Sequence, residues 1–232
     1  MLCNRLLRMR APKGRLSIRY EAVVDIDHRL GDSNQLSEVP VAELPFDVWH
    51  YLAPSRYCES DRLMEFAMRE FGAMQRGYAR VYAIRAWVRN HVRLLSHSTN
   101  ERTSAVDTIV ERTGVCRDFA HPMIGICRAL SIPARMSSSL DNGADPTMGA
   151  PDFHAVVEGY LSHRWYLLDP SGVSIPTGLL RIGTGRDAAD IPFAAILGTV
   201  ESERPFVEIH AVTDTTAGIE MPAFTEKAIS TW

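Results

Sequence analysis

Alternation of apolar and polar side chains predicts a β-strand near the start of the chain. Between Arg15 and Ile26 every second residue is apolar, which is the period of a half-buried strand. Residues 38–44 are the local candidate to pair with it, so the region predicts part of a small β-subdomain. Prolines then give the following segment turn and extended character, and we place a domain boundary between residues 1–57 and 58–232.

Helical spacing begins after this boundary. A first helix, capped by Ser60 or Asp61, carries apolar residues as far as Phe71. A longer helix with a broad apolar face is predicted from Tyr78 to about His91, and a shorter one over residues 103–110. We interpret the first two of these helices as scaffold.

Cys116 stands where a turn meets an apolar helix. Gly114 supplies the permissive backbone for the turn. The helical spacing predicts one buried stripe, formed by Phe119, Ala120, Met123, Ile124, Cys127 and Leu130. Free N–H groups and the positive end of the helix dipole favour a charged sulfur at the first helical position, and therefore a better nucleophile. Cys127, within the stripe, is assigned to the core, and Pro122 predicts a kink.

A hairpin is predicted downstream of a strand at residues 135–140. Residues 152–160 and 164–169 are rich in β-branched and aromatic residues and are separated by a short turn. A turn centred on residues 161–162 puts His154 opposite Asp169, and one centred on residues 162–163 makes them diagonal neighbours. Side chains alternate with period two, so both registers place them on one face.

Cys116, His154 and Asp169 together suggest a thiol catalyst. A cysteine nucleophile requires an imidazole to take and return the proton, and a carboxylate to orient that imidazole. Taken singly, a strand histidine is commonly structural and an aspartate before proline commonly starts a turn. Their joint occurrence with a cysteine at a helix start favours the catalytic interpretation.

Composition excludes several classes of function. The formal net charge of −3, with acids and bases interspersed, gives no basic surface for nucleic acid and no anchor for a membrane. Four cysteines show no metal-ligand spacing, and the first ten residues lack the apolar centre of a signal peptide. We therefore expect a cytoplasmic protein with reduced thiols, no cofactor and no metal.

Several ordered motifs resemble those of the bacterial transglutaminase-like proteins. They are Gly114-Val115-Cys116 with Phe119-Ala120, Pro133-Ala134-Arg135, Phe153-His154-Ala155, Trp165 with Asp169-Pro170, and the segment Gly185–Asp190. The resemblance implies an α+β fold with a papain-like core, in which the helix that carries the nucleophile packs on an antiparallel sheet. It implies that a partial N-terminal β-sandwich precedes this core in the chain. It also implies Cys116 as nucleophile, His154 as general base and acid, and Asp169 as the orienting residue.

The sequence departs from the family pattern at Ser138-Ser139, where relatives commonly have Gly-Tyr, and at Val156, where tryptophan is frequent. Residues 185–190 predict a tight turn with Arg186 and Asp187 exposed, acting either as a cleft wall or as an internal clamp. A final strand is expected at residues 203–212, followed by a loosely held tail. An unpaired edge of the N-terminal segment would favour homo-oligomers.

The resulting hypothesis is an amide hydrolase that acts on a peptide or protein through a Cys116 thioester. Acyl transfer to an amine shares every step up to that thioester, and a non-catalytic peptide-binding module is the alternative from another class. The Cys116 N–H is one oxyanion donor, and candidates for the second are Trp87, Asn90 and His97. A metal site formed by Cys116, Asp118 and His121 has poor ligand spacing.

Overall fold

The computed structural model describes residues 4–142, 152–203, 205–214, 216, 218–225 and 227–231. In that part of the chain the helices are α1 (Met64–Phe71), α2 (Tyr78–His91), α3 (Ala105–Glu111) and α4 (Cys116–Ala129). The prediction for α2 is confirmed at both ends. The expected cap of α1 is wrong, because Leu63 is the N-cap and makes no side-chain cap bond. At α3, the Ser104 hydroxyl and the Asp107 carboxylate instead form a reciprocal capping box.

The main sheet is antiparallel throughout. Its described strands are β1 (Arg29–Gly31), β4 (Ala134–Asp141), β5 (Phe153–Leu161), β6 (Arg164–Leu168), β7 (Leu179–Gly185) and β8 (Ala228–Ser230). Their spatial order is β1-β8-β6-β5-β4-β7. Two further short strands, β2 (Arg93–Leu94) and β3 (Thr113–Gly114), pair in parallel just before α4. The expected α+β architecture, with helices packed on an antiparallel sheet, is confirmed.

Helix α4 lies at the centre of the molecule. It packs on β4 and β5 and against the other three helices. The predicted stripe is buried, but the helix is covered on every side from Asp118 to Arg128. The expectation of a single buried face is therefore wrong, because helices and sheet surround α4 together. The helix continues through Pro122, which is itself buried.

Residues 39–52 pack on the outer surface of β5 and β6. Val39, Leu44, Val48 and Tyr51 form a second apolar cluster with Tyr160 and Trp165. The rings of Tyr51 and Trp165 meet edge to face, with centroids 5.1 Å apart. This layer covers the sheet near the hairpin turn.

Two predicted strands are absent from the described residues. Residues 15–26 adopt neither helix nor strand, and Tyr20 and Val23 are 82% and 95% exposed. The described part of 203–212 contains no strand either. The last strand, β8, lies instead in the tail that was expected to be loosely held, where it is buried between β1 and β6. Alternation of apolar and polar residues shows which face of a segment could be buried. A strand forms only where the edge of another strand is available for pairing.

No helix in the described ranges is both long and apolar enough to cross a membrane.

Candidate active site

Cys116 is the first residue of α4, and its surroundings fix the start of the helix. Val115, the N-cap, has an extended backbone with φ −100° and ψ 177°. Its N–H donates to Asp118 Oδ2 at 2.9 Å, and the Thr99 hydroxyl donates to the same oxygen at 2.5 Å. Asp118 is fully buried, so these bonds satisfy a carboxylate that would otherwise be costly to bury. Cys116 itself remains partly accessible.

The close approach of Asp118 explains Gly114. A Cβ at residue 114 would stand 2.5 Å from Asp118 Cβ, closer than such atoms approach in proteins. Gly114 does not have a positive φ, so its role is to leave space rather than to supply unusual backbone angles. The expectation of a special backbone at this turn is corrected accordingly.

The hairpin register places His154 beside Asp169. Leu161 pairs with Arg164 across a turn at Ser162 and His163, both of which have positive φ. This is the second of the two anticipated registers, in which His154 and Asp169 are diagonal neighbours on one face. His154 Nε2 lies 3.2 Å from Asp169 Oδ1.

Asp169 is held by the loop that follows it. Its Oδ1 accepts from the N–H and hydroxyl of Ser171 at 2.9 and 2.6 Å, and its Oδ2 accepts from the N–H and hydroxyl of Ser174 at 3.0 and 2.8 Å. The Asp169 carbonyl accepts from Arg85 Nε at 2.7 Å. Helix α2 thereby contacts the loop that begins at Asp169. With these hydrogen bonds the Asp169 carboxylate has little freedom to rotate.

The sulfur, the imidazole and the carboxylate form one continuous arrangement. Burial lowers the pKa of His154, but hydrogen bonds and charges from Asp169 and Cys116 outweigh it and raise that pKa to about 10. Burial raises the pKa of Asp169, and the contacts with His154, Ser171 and Ser174 reverse this to a value well below the ordinary range. Since Nε2 faces Asp169, the other ring nitrogen, Nδ1, is left for Cys116. The three predicted residues therefore meet.

The other described cysteines are inert by environment. Cys58 and Cys127 are fully buried, and burial raises the pKa of both thiols, that of Cys127 to about 12. Cys127 belongs to the main apolar cluster, as predicted. Cys3 lies outside the described residues.

Among the residues considered for a metal or an oxyanion, Asp118, His121 and Trp87 have other contacts, whereas Asn90 and His97 are exposed. The Asp118 carboxylate is used at the start of α4, while His121 stacks on Tyr57 with ring centroids 5.1 Å apart. No group of three metal-binding side chains occurs among the residues that the structure describes. Trp87 stacks on His91 at 4.2 Å and packs against the apolar core.

The segment 185–190 contains a clamp. Arg186 Nε donates to Asp190 Oδ2 at 2.8 Å, and the Arg186 N–H donates to the same oxygen at 3.0 Å. Asp187 was expected to be exposed, which is wrong. It is buried and accepts from the Tyr57 N–H at 2.9 Å, since the segment folds back onto the residues before α1.

The residues that depart from the family pattern, Ser138-Ser139 and Val156, lie on β4 and on β5, the strand that carries His154. Ser139 is fully buried and pairs directly with His154 across β4 and β5. Val156 is buried with Leu167 and Leu179 in a small apolar cluster. Ser139 and Val156 are therefore buried, whereas Ser138 is half-buried.

Sequence reasoning missed Ser171, Ser174, Asp118 and Arg85. A signal existed for Ser171 alone, because an aspartate side chain commonly accepts from the backbone two residues further on; Ser174 gave none. Asp118, three residues after the N-cap, is likewise at the position from which a carboxylate reaches back to the cap N–H. Arg85 gave no comparable signal, because its contact joins residues that are 84 positions apart.

Comparisons with known proteins identify a family and two similar proteins. Residues 66–170 match the model of the transglutaminase-like superfamily. The crystal structure of a protein from Cytophaga hutchinsonii, described as a putative cysteine protease, is 42% identical with a TM-score of 0.79, covering 88% of this chain and 69% of that one. An uncharacterized protein of Mycobacterium leprae is 24% identical over 217 residues, which is 90% of this chain and 76% of the relative.

Proposed function

The chain belongs to the transglutaminase-like superfamily, and on that premise we propose that it is a thiol-dependent amide hydrolase acting on a peptide or protein. The family and the relative from Cytophaga hutchinsonii support a cysteine-protease-like function in general. The observation that carries the finer proposal is the contact of His154 with Cys116 on one side and with Asp169 on the other.

The reaction divides into two acyl-transfer steps. The sulfur of Cys116 attacks the amide carbonyl carbon, and the oxyanion forms near the N–H groups at the start of α4. His154 gives its proton to the leaving amine as the C–N bond breaks and the thioester forms. Water then attacks the thioester and His154 takes a proton from that water. The C–S bond breaks, the carboxylic acid is released, and the Cys116 sulfur leaves as a thiolate beside the imidazolium.

Asp169 orients the ring throughout this sequence. Its carboxylate accepts from the imidazole and stabilises the imidazolium, while Ser171 and Ser174 keep the carboxylate ionised. The pKa of His154, raised to about 10, keeps the ring charged near neutral pH and ready to protonate the leaving group.

A peptide library tests the proposal. Wild-type protein should release new amino termini, and Cys116→Ala should lose at least about a thousandfold in rate because the nucleophile is gone. Adding a primary amine reveals acyl transfer, since the product then carries the amine instead of a new carboxylate. Equal hydrolysis by wild type and Cys116→Ala would contradict Cys116 as the nucleophile, and inactivity of both would contradict the proposal and favour a binding module.

Selective alkylation tests the nucleophile without a substrate. Iodoacetamide at about pH 6 should label Cys116 and spare Cys58 and Cys127, because those two thiols are buried and hard to ionise. Mass spectrometry of the peptides measures this directly. Equal labelling of Cys116 and Cys127 would count against Cys116 as an activated sulfur.

A further inference from the structure

The loop from Asp169 to Ser174 surrounds one carboxylate with four donors. Ser171 and Ser174 each give a backbone N–H and a hydroxyl, Ser171 to Oδ1 and Ser174 to Oδ2. Both serines are 8% exposed, so their hydroxyls have little access to water. These four hydrogen bonds, two to each oxygen, are sufficient to fix the position of the Asp169 carboxylate.

The two hydroxyls are nevertheless not equivalent. Ser171 Oγ lies 3.4 Å from His154 Nε2, whereas the described contacts of Ser174 Oγ reach only Asp169 Oδ2. Ser171 has a single hydroxyl proton, and the 2.6 Å bond to Asp169 Oδ1 uses it. The oxygen also accepts from the Val173 N–H at 3.5 Å, which leaves it acceptor capacity toward the imidazole. The Nε2–H therefore has two acceptors, Asp169 Oδ1 at 3.2 Å and Ser171 Oγ at 3.4 Å.

We propose that Ser171 is a positioning residue that sets the plane and the charge state of the His154 ring through this shared hydrogen bond. This inference rests on the proposed function, since it assigns the ring its role as proton carrier for Cys116. An imidazole with one acceptor can pivot about that bond. A second acceptor limits the pivot and keeps the opposite nitrogen directed at the sulfur.

The shape of the loop does not depend on the serine hydroxyl alone. Arg85 donates to the Asp169 carbonyl, and the guanidinium of Arg89 lies against Gly172, 2.7 Å from where a Cβ would stand. Gly172 has φ +68°, a conformation that glycine adopts without strain. These contacts, together with the two serine N–H bonds, remain when either hydroxyl is removed, so alanine variants should retain the loop.

The chain offers a matched pair of variants. Ser171→Ala and Ser174→Ala each remove one hydroxyl donor to Asp169 at the same exposure, but only the former removes an acceptor of His154. Ser171→Ala also removes the long 3.5 Å hydrogen bond from the Val173 N–H, which thermal unfolding detects if it matters for the loop. Ser171→Thr restores the hydroxyl. Thermal unfolding of all three variants checks that the alanine substitutions destabilise the fold to a similar degree.

Two readouts separate positioning from a structural role. We expect Ser171→Ala to slow alkylation of Cys116 near pH 6 by about tenfold, with Ser174→Ala slowed less than about threefold and Ser171→Thr close to wild type. We also expect the titration midpoint of His154, followed by NMR of the ring, to move to lower pH in Ser171→Ala only, because the imidazolium loses an acceptor. Equal effects of both alanine variants, or a midpoint unchanged or raised in Ser171→Ala, would overturn the proposal.

Neither readout requires turnover of a substrate. Failure of peptide hydrolysis in wild-type protein would therefore contradict the proposed function while leaving the Ser171 result to be measured. Conversely, active wild-type protein in which Ser171→Ala and Ser174→Ala behave alike would contradict the positioning role alone.

Discussion

Gly114 and Asp118 are in such close contact that no side chain fits between them, and this contact lies at the start of the helix whose first residue is Cys116. A Cβ at residue 114 would lie 2.5 Å from Asp118 Cβ and 3.2 Å from Oδ2. The same Oδ2 accepts the N–H of Val115, which directly precedes Cys116. Displacing Asp118 would therefore move the first turn of α4 together with its sulfur.

Gly114→Ala should both destabilise the protein and impair the site. We expect a loss of about 1–3 kcal/mol in the free energy of unfolding, because Asp118 is part of the helix and cannot simply rotate away. Alkylation of Cys116 should slow by about tenfold or more as the sulfur shifts. Gly159→Ala is the control, since its Cβ would make only ordinary contacts of 3.6 and 3.7 Å with Leu168 and Val81. Similar alkylation rates for the two variants would show that the contact does not position Cys116.

His154 should stabilise the fold below neutral pH and lose that effect in alkali. Its pKa is raised to about 10 in the folded protein, against about 6.5 when unfolded, so the folded state binds more protons between those values. The contribution is complete below about pH 6.5 and disappears as the pH rises through about 10. The stability advantage of wild type over His154→Gln should therefore shrink by about 2–4 kcal/mol between pH 6 and pH 10.5.

Urea unfolding at a series of pH values measures this difference. Subtracting the His154→Gln curve removes the titration of tyrosines and other thiols, which both proteins share. A constant difference across the range would show that the ring is not held as an imidazolium.

His121 should give the opposite pH dependence on the acid side. Burial lowers its pKa to about 4, partly opposed by the carboxylates of Asp187 and Asp118, so the folded protein holds the ring neutral. Between about pH 6.5 and pH 4 the unfolded chain binds the extra proton, and stability falls as the pH falls. We expect wild type to lose about 1–2 kcal/mol more than His121→Gln between pH 7 and pH 5.

Glutamine is the appropriate replacement because its amide oxygen can accept the Ala188 N–H that His121 Nε2 accepts at 3.4 Å, and it does not titrate. Parallel loss of stability in the two proteins would indicate that His121 is not held neutral by the fold.

Features that depend on short-range pattern could be predicted from the amino-acid sequence. The bounds of α2, the start of α4 at Cys116 and the hairpin carrying His154 and Asp169 all follow from spacing within a few residues. The shared face of His154 and Asp169 also follows, because alternation along two paired strands allows no other result in either register. The candidate triad was therefore predictable before any coordinates.

Which segments with alternating apolar and polar residues form strands depends on tertiary structure. The contacts that support the candidate site depend on it as well. Residues 16–24 carry a strand pattern but remain exposed, while the short segment Ala228–Ser230 is buried between β1 and β6. The hydrogen bond from Arg85 to the Asp169 carbonyl and the short distance between Gly114 and Asp118 likewise depend on how the elements pack. Periodicity states which face a segment could bury, whereas partner edges and contacts between distant residues exist only once the whole chain has folded.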